Sequence, residues 1–298
     1  MAKDLDSLLQ ELERLTGFSI KIEGFDEEHR AEAQKQVAML VSAYRDKYDR
    51  TNFVRRVLLG EISGNDLYLG AGRYHMADNL RRELYVIDVD SRDTEIVLTI
   101  LRQVFVSQGG DVVASVDGQK TVLLKVLATD ESREEIDRRA RVLLDTLNTE
   151  AMVKARVGYG RPVSKLQELS GAYQEACTCL EIGSIFYHGQ NLFPYDKLGI
   201  GRLLYRLPTD VCRTFLKEVC KNFDIDDLDD ESIGIINAFF ENNLNISETA
   251  RQLYVHRNTL VYRFEKLKAL TGIDLRNFDE AMELKVAMMV ADYLKAKE

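Results

Sequence analysis

Residues 245–272 read NISETARQLYVHRNTLVYRFEKLKALTG, and this stretch decides the fold of the C-terminal region. Asn245 or Ser247 can cap a short first helix, and Glu248 stands three residues after Asn245, as in a capping box. A tight connection follows, and a longer second helix ends at Gly272, because glycine commonly terminates helices. The spacing therefore predicts two helices joined by a short turn.

The second helix of this pair, at about 256–270, carries a polar and basic face. Polar side chains fill its first turn, and hydroxyl and basic side chains continue along the side that we expect to be exposed. Such a helix can enter the major groove of DNA, where Arg pairs with guanine and Asn with adenine while flanking groups hold phosphates. A generic helical hairpin with a solvated basic face is the alternative. The predicted DNA contacts are Ser247, Arg251, His256, Arg257, Asn258, Thr259, Tyr262, Arg263 and Lys266.

The charge of the chain is distributed unevenly. Its 298 residues contain 40 Lys and Arg against 49 Asp and Glu, and the formal net charge of −9 argues against a general polyanion binder. From Ser247 to Leu270, by contrast, five basic residues stand against two acidic ones. The clearly basic stretch of an acidic chain thus coincides with the two-helix motif.

Upstream, the pattern changes to short apolar runs rich in β-branched residues, which predict strands. Asp117-Gly118, a strong hairpin-turn dipeptide, separates two of these runs. The order β-α-β-β-α-β is that of a ferredoxin-like domain, an antiparallel sheet with helices on one face. The predicted elements are strands at 84–89, 112–116, 121–126 and 154–158 and helices over 92–106 and 132–147.

Both flanks of this region have helical periodicity. Residues 3–16 and 27–59 predict helices with one short strand over Phe18–Ile22 between them, and from about 164 onward every element is predicted to be helical. Phe223–Ser232 carries six acidic residues and no basic one. We interpret it as a loop and helix start, because acids stabilise the N-terminal end of a helix. An acidic functional patch is the alternative.

Motifs of enzymes and metal sites are absent from the sequence. It contains no phosphate-binding loop, no nucleophile elbow and no H-E-x-x-H zinc motif. Its four cysteines have spacings that do not suit zinc, and Asp88 and Asp90 are interpreted as solvated acids at a strand end. We therefore expect no enzyme activity, no metal and no cofactor. No apolar run reaches the roughly 20 residues of a membrane span, so a cytoplasmic protein is expected.

The two-helix motif supports a resemblance to a known family. Ser247–Arg263 resembles the hallmark of the C-terminal helix-turn-helix in the purine-catabolism-regulator (PucR) and sugar-diacid-regulator (CdaR) family. Leu270–Leu275 and the apolar closing helix 280–294 fit the same pattern, and Phe193–Leu198 is similar to the family's entry into its helical domain. The resemblance covers about 82–298.

This resemblance implies a DNA-binding regulator whose middle domain is related to the nucleotide-cyclase (GGDEF-type) fold. Ser115–Gln119 of the hairpin lacks the acidic Gly-Gly-Asp/Glu-Glu-Phe sequence of a diguanylate cyclase, so we expect dimerisation or regulation instead of cyclase activity. About 80 largely helical residues stand where longer relatives carry an effector-sensing domain, so the resemblance transfers no effector. We expect these residues to serve packing or dimerisation, or to form a reduced sensor.

We thus predict an α+β protein with a helical N-terminal region (1–80), a ferredoxin-like, GGDEF-like domain (81–197) and an all-α helix-turn-helix domain (198–298). The expected function is sequence-specific transcription regulation by a homodimer on double-stranded DNA, with no membrane partner and with a small-molecule effector of unknown identity. The alternative is a nucleotide- or small-molecule-binding regulatory protein that acts through the GGDEF-like domain.

Overall fold

The computed structural model describes residues 4–16, 30–48, 50–107 and 109–297, with the backbone alone for residues 14–16 and 43–48. The chain forms two compact units, of which the first comprises Met1–Leu180 with Gln190–Lys197 and the second comprises Glu181–Gly189 with Leu198–Glu298. The strand predicted over Phe18–Ile22 lies outside the described residues. Among the described residues, no helix combines the length and the apolar character that a membrane span requires.

The first unit begins with four helices: α1 (Leu5–Thr16), α2 (Arg30–Tyr48), α3 (Arg50–Leu58) and α4 (Gly64–Arg73). Leucines recur at three- and four-residue steps along α1, so one side of this helix is apolar. Leu5, Leu8 and Leu12 are buried in one cluster with Val37 and Val41 of α2. Helices α1 and α2 thus form a pair with a small core of its own.

Five strands form one sheet in the order β2-β3-β1-β4-β5. Their bounds are Arg82–Asp88 (β1), Val112–Ser115 (β2), Lys120–Val126 (β3), Arg156–Tyr159 (β4) and Leu192–Pro194 (β5). Neighbouring strands are antiparallel except β4 and β5, and Val86 of β1 stands opposite Val122 of β3 and Gly158 of β4. The first four strands and helices α5 (Thr94–Ile100) and α6 (Arg133–Glu150) have the predicted β-α-β-β-α-β order, and the α+β fold class is confirmed.

Helices cover both faces of this sheet. Helices α5 and α6 bury their apolar sides in one core with β1, and the helix predicted over 92–106 continues beyond Ile100 as a π-helical turn, Leu101–Phe105. On the opposite face, Gly158 lies against helix α7 (Leu169–Phe186), where a Cβ on residue 158 would lie 2.4 Å from the Ala176 carbonyl oxygen. The second face is therefore covered by a helix outside the β-α-β-β-α-β set.

Strand β5 corrects the expectation that every element after about residue 164 is helical. Leu192–Pro194 pairs with β4, and the Val157 amide donates to the Asn191 carbonyl over 2.8 Å. Three residues are too few to show a period of two, and Pro194 is tolerated because β5 is an edge strand. This strand is set by its pairing with β4 and not by a pattern of its own.

The second unit is helical. After the end of α7 it contains α8 (Gly201–Leu204), α9 (Thr209–Val219), α10 (Asp230–Glu241), α11 (Ile246–Gln252), α12 (Arg257–Thr271) and α13 (Phe278–Lys297). The acidic stretch Phe223–Ser232 contains a helix start, because Asp229 caps α10 by accepting from the Ser232 amide over 2.8 Å. Helices α10 to α13 share one core, which includes Ile236, Phe239, Ala250, Leu260, Phe264, Leu267, Leu284 and Ala287.

Candidate nucleic-acid interface

Helices α11 and α12 form the two-helix motif that the sequence predicts. Asn245 begins α11, because its side-chain oxygen accepts hydrogen bonds from the Ser247 and Glu248 amides over 3.0 and 3.2 Å. His256 begins α12, because its Nδ1 accepts from the Asn258 amide over 3.2 Å. Such caps satisfy amides that a helix leaves unpaired at its N-terminus. Both helix starts are thus fixed by local side chains.

The turn between these two helices is short and hydrogen-bonded. The Val255 amide donates to the Ala250 carbonyl over 2.9 Å, and the Tyr254 amide donates to the Arg251 carbonyl over 3.2 Å. Tyr254 has a φ of +55°, in the left-handed region. Ala250 is 4% exposed, so the end of α11 carries a small side chain where it is buried. Backbone bonds and a small residue together allow the chain to reverse within a few residues.

One side of α12 is buried in the helical core. Leu260, Phe264 and Leu267 recur at three- and four-residue steps, and none is more than 4% exposed. Phe264 packs against Phe239 of α10 with ring centroids 4.8 Å apart. At its C-terminus, Gly272 takes a φ of +80° and ends the helix. This packing turns the opposite side of α12 toward solvent.

That opposite side presents four of the predicted contact residues. Arg257, Asn258 and Thr259 are exposed in the first turn, and Tyr262, one turn further on, is 70% exposed. Within the part of the chain that the structure describes, none of these four side chains is engaged in a hydrogen bond or an ion pair. His256, also a predicted contact, is exposed and serves as the cap of α12. The groups that suit bases therefore lie unengaged at one end of the helix.

Two of the other predicted contacts, both arginines, are engaged by acidic residues. On α11, Ser247 is exposed, and Arg251 forms an exposed ion pair with Glu248 at 2.9 Å. On α12, Arg263 is half-buried, because its guanidinium pairs with the Glu231 carboxylate of α10 at 2.7 Å. The sequence predicts that Arg263 is exposed. No sequence pattern indicates its ion pair with Glu231, because the two residues lie far apart in the chain.

Glu231 belongs to an acidic wall beside α12. Asp227, Asp229 and Glu231 line a depression of about 130 Å³ whose other wall includes Arg263 and Lys266. Hydrogen bonds from the first turn of α10 lower the pKa of Asp229, and the positive charge of Lys266 lowers it further. The basic face of α12 is thus partly neutralised by acids of its own unit.

The end of α12 is held by a further cluster of ion pairs. The Lys268 ammonium lies 3.0 Å from the Asp274 carboxylate, and Arg276 pairs with both Asp274 and Glu265 at 2.7 Å. The hydrogen bonds from Arg276 hold the pKa of Asp274 well below its usual range. These pairs fasten the segment after Gly272 to α12 and engage Lys268.

In the first unit, the end of β1 carries two acids, Asp88 and Asp90, that could serve a nucleotide or metal site. Asp88 pairs with Arg156 at 2.5 Å, and Asp90 accepts from the Arg92 amide over 3.2 Å. Asp88, Asp90 and Arg156 border a depression of about 250 Å³. Among the described residues, no group of three or more His, Cys, Asp or Glu side chains is placed to hold a metal ion. The two acids are engaged by arginines instead.

A short capped helix, a tight turn and a longer helix with an exposed polar end define a helix-turn-helix domain of the DNA-binding class. Residues 233–290 match the PucR C-terminal helix-turn-helix domain, and residues 59–182 match the GGDEF-like domain. These two matches confirm the resemblance to regulators of the PucR and CdaR type. The chain thus contains a helix-turn-helix domain of the PucR type and a GGDEF-like domain.

Named relatives of the chain are regulators. It is 29% identical over 171 residues to the purine catabolism regulatory protein of Bacillus subtilis, an alignment of 56% of this chain with 32% of that protein. It is 24% identical over 255 residues to the carbohydrate diacid regulator of Escherichia coli, covering 83% of this chain and 66% of that protein. The chain thus spans less than two thirds of either relative's length. The crystal structure of a regulator of polyketide synthase expression from Bifidobacterium adolescentis aligns at 16% identity with a TM-score of 0.39, over 81% of this chain and 93% of that one.

Proposed function

We propose that this chain is a sequence-specific transcription regulator that inserts α12 into the major groove of double-stranded DNA. The observation that supports this most is the polar end of α12, where Arg257 and Asn258 are exposed and unengaged within the described residues. In helix-turn-helix proteins this end of the second helix contacts base edges. Arg suits guanine and Asn suits adenine, so these two side chains would read bases.

The remaining predicted contacts would position the protein on the DNA backbone. Hydroxyl and basic side chains bind phosphate oxygens, which fixes the register of the recognition helix without reading sequence. Lys266 is exposed on α12 and lies nearer the C-terminal end of the helix than the base-reading turn. The residues proposed for this role are Ser247, Arg251, His256, Thr259, Tyr262, Arg263 and Lys266.

The protein would act as a homodimer in the cytoplasm, without a membrane partner and without catalysing a reaction. A single helix-turn-helix buries little surface on DNA, and two-fold pairing on a palindromic site compensates for this. In this proposal residues 198–298 bind DNA, while the GGDEF-like region 81–197 and the helical region 1–80 serve dimerisation or regulation. The named relatives concern purine catabolism in one case and carbohydrate diacids in the other, so no identity is proposed for the small-molecule effector.

Selection of bound duplexes from a random pool tests this function. The wild-type chain is compared with Arg257→Ala and Asn258→Ala, and Arg206→Ala is the matched control, because Arg206 is an exposed arginine of the same unit outside the motif. We expect the wild type to enrich a motif with two half-sites. Each motif variant should lose about 1–3 kcal/mol of binding free energy and relax the preference at one base pair, while Arg206→Ala behaves like the wild type.

The selection is repeated in the presence of a metabolite mixture. Absence of enrichment by the wild type in both conditions would contradict the proposed function. Equal losses by the two motif variants on selected and random duplexes would contradict the base-reading roles of Arg257 and Asn258, because a phosphate contact weakens all sequences alike.

A further inference from the structure

Tyr254, in the turn between α11 and α12, combines exposure with backbone strain. It is 96% exposed, and its φ is +55°. The left-handed region disfavours residues that carry a Cβ, so glycine is the residue that usually occupies it. A tyrosine ring surrounded by solvent offsets none of this strain through apolar burial. The packing does not explain this strain, and together with the position of Tyr254 directly before α12 the strain points to a role outside the fold.

Other left-handed residues of the same unit differ from Tyr254. Asn243, with a φ of +52°, is exposed, but asparagine adopts this conformation more readily than other residues that carry a Cβ. Gly272, which ends α12, has a φ of +80° and no side chain. Leu244, between α10 and α11, has a φ of +61°, and its side chain packs against the buried core. The hydrogen bond that Tyr254 donates within the turn comes from its backbone amide, so a glycine would donate it equally well. The described fold therefore does not require a ring at position 254.

Tyr254 lies three residues before the end of α12 that we propose to face DNA. His256, two residues later, caps the helix end that carries the proposed base-reading residues. Groups that border the inserted end of a recognition helix lie near the phosphates along the groove, and tyrosine hydroxyls are among the side chains that bind phosphate oxygens. A phenol donates one hydrogen bond and carries no charge at neutral pH.

We propose that the Tyr254 hydroxyl donates a hydrogen bond to a phosphodiester oxygen of the DNA beside the groove that α12 enters. This inference rests on the proposed function. The contact strengthens binding to every sequence alike, because phosphates carry no sequence information. It also leaves the salt dependence unchanged, because a neutral donor releases no counterion.

Three variants of the full chain test this contact. Tyr254→Gly removes both the ring and the strain, Tyr254→Phe removes the hydroxyl alone, and Met152→Gly is the matched control. Met152 lies in the first unit, is 90% exposed and has a φ of +53°, so it shares the exposure and the strain of Tyr254 away from the helix-turn-helix. Binding is measured on the duplex selected by the wild type and on a random duplex, each at several salt concentrations.

We expect Tyr254→Gly and Met152→Gly to unfold at the wild-type temperature or up to about 2 °C higher, because each loses a Cβ from a left-handed residue. Tyr254→Gly and Tyr254→Phe should bind both duplexes about tenfold more weakly, with an unchanged salt slope. Met152→Gly should bind like the wild type. A variant that keeps its thermal stability but binds DNA more weakly would identify Tyr254 as a contact residue and not as a structural one.

Each contrary result has a distinct meaning. Equal binding by the wild type and Tyr254→Gly overturns this inference and leaves the proposed function standing. Full binding by Tyr254→Phe overturns the hydroxyl–phosphate contact, and a changed oligomeric state of Tyr254→Gly in sedimentation overturns it in favour of a protein contact. A wild-type chain that selects no duplex overturns the proposed function and this inference with it.

Discussion

Glu83 of β1 is a buried acid that makes the stability of the first unit depend on pH. Its side chain is 0% exposed, and within the described residues neither carboxyl oxygen has a hydrogen-bond partner. Burial raises the pKa of Glu83 from 4.5 to about 8, against the opposing effect of the positive charges on Arg133 and Arg81. At neutral pH this carboxyl is therefore mostly protonated in the folded protein.

The sign and size of the effect follow from this pKa. Because the folded state binds the proton more tightly than the unfolded state, the free energy of unfolding falls as the pH rises from about 4.5 toward 8. Between pH 5 and pH 7.5 the two pKa values give a fall of about 3 kcal/mol. Glu83→Gln has nearly the same shape and does not titrate. Relative to the wild type, it should therefore gain about 3 kcal/mol in free energy of unfolding over this interval.

The assay is urea unfolding at pH 5 and pH 7.5, followed through hydrogen exchange of the β1 amides, which reports on the unit that contains Glu83. Glu134→Gln, at an exposed glutamate of α6, is the matched control and should differ from the wild type by the same amount at both pH values. If Glu83→Gln also differed from the wild type equally at both pH values, Glu83 would be ionised in the folded protein, and the reasoning would be refuted.

Three further perturbations test the packing and the interface. Gly158→Ala places a Cβ 2.4 Å from a carbonyl oxygen of α7 and should lower the free energy of unfolding by about 1–3 kcal/mol. Gly171→Ala is the control, because its Cβ would meet no atom within 4 Å and should not lower the free energy of unfolding; urea unfolding measures both variants. His256→Ala should lower the free energy of unfolding by about 1 kcal/mol through loss of the α12 cap, and His256→Asn should retain it in the same titration. Glu231→Gln should cost less than about 1 kcal/mol of stability, because the ion pair with Arg263 is partly exposed. It should release Arg263, so that duplex binding tightens severalfold and depends more steeply on salt. Unchanged binding would show that the ion pair does not restrain Arg263.

Much of the fold is predictable because local chemistry agrees with the final packing. The run Leu84–Val89 and the dipeptide Asp117-Gly118 mark a buried strand and a hairpin that the structure contains. The edge strand Leu192–Pro194 is not predictable, because it exists only through pairing with β4. The π-helical turn Leu101–Phe105 is also missed, since its buried side continues the apolar pattern of α5.

The sequence predicts the local features of the candidate site but not its contacts with distant segments. The cap Asn245 and the buried stripe of α12 are local features, so the sequence indicates both. Arg263 directly precedes the buried Phe264 and stands at the edge of that stripe, where it reaches Glu231 of α10. A contact between distant segments of the chain has no sequence spacing to reveal it. The left-handed Tyr254 is missed for a different reason, because the sequence places no glycine there to signal the conformation.

The ion pairs of the helix-turn-helix determine how an acidic chain can bind DNA. Of the five basic residues between Ser247 and Leu270, three pair with acids: Arg251, Arg263 and Lys268. Arg257 and Lys266 form no ion pair within the described residues. Each phosphate contact by a cation contributes about 0.9 to the slope of log affinity against log salt, so acids that hold three of the five cations would make this slope shallower. In the proposed function, attraction to random DNA would then be weak, in keeping with a net charge of −9. In the proposed function, discrimination among sequences therefore comes from contacts with base edges, and the unengaged Arg257 and Asn258 are the side chains proposed to make them.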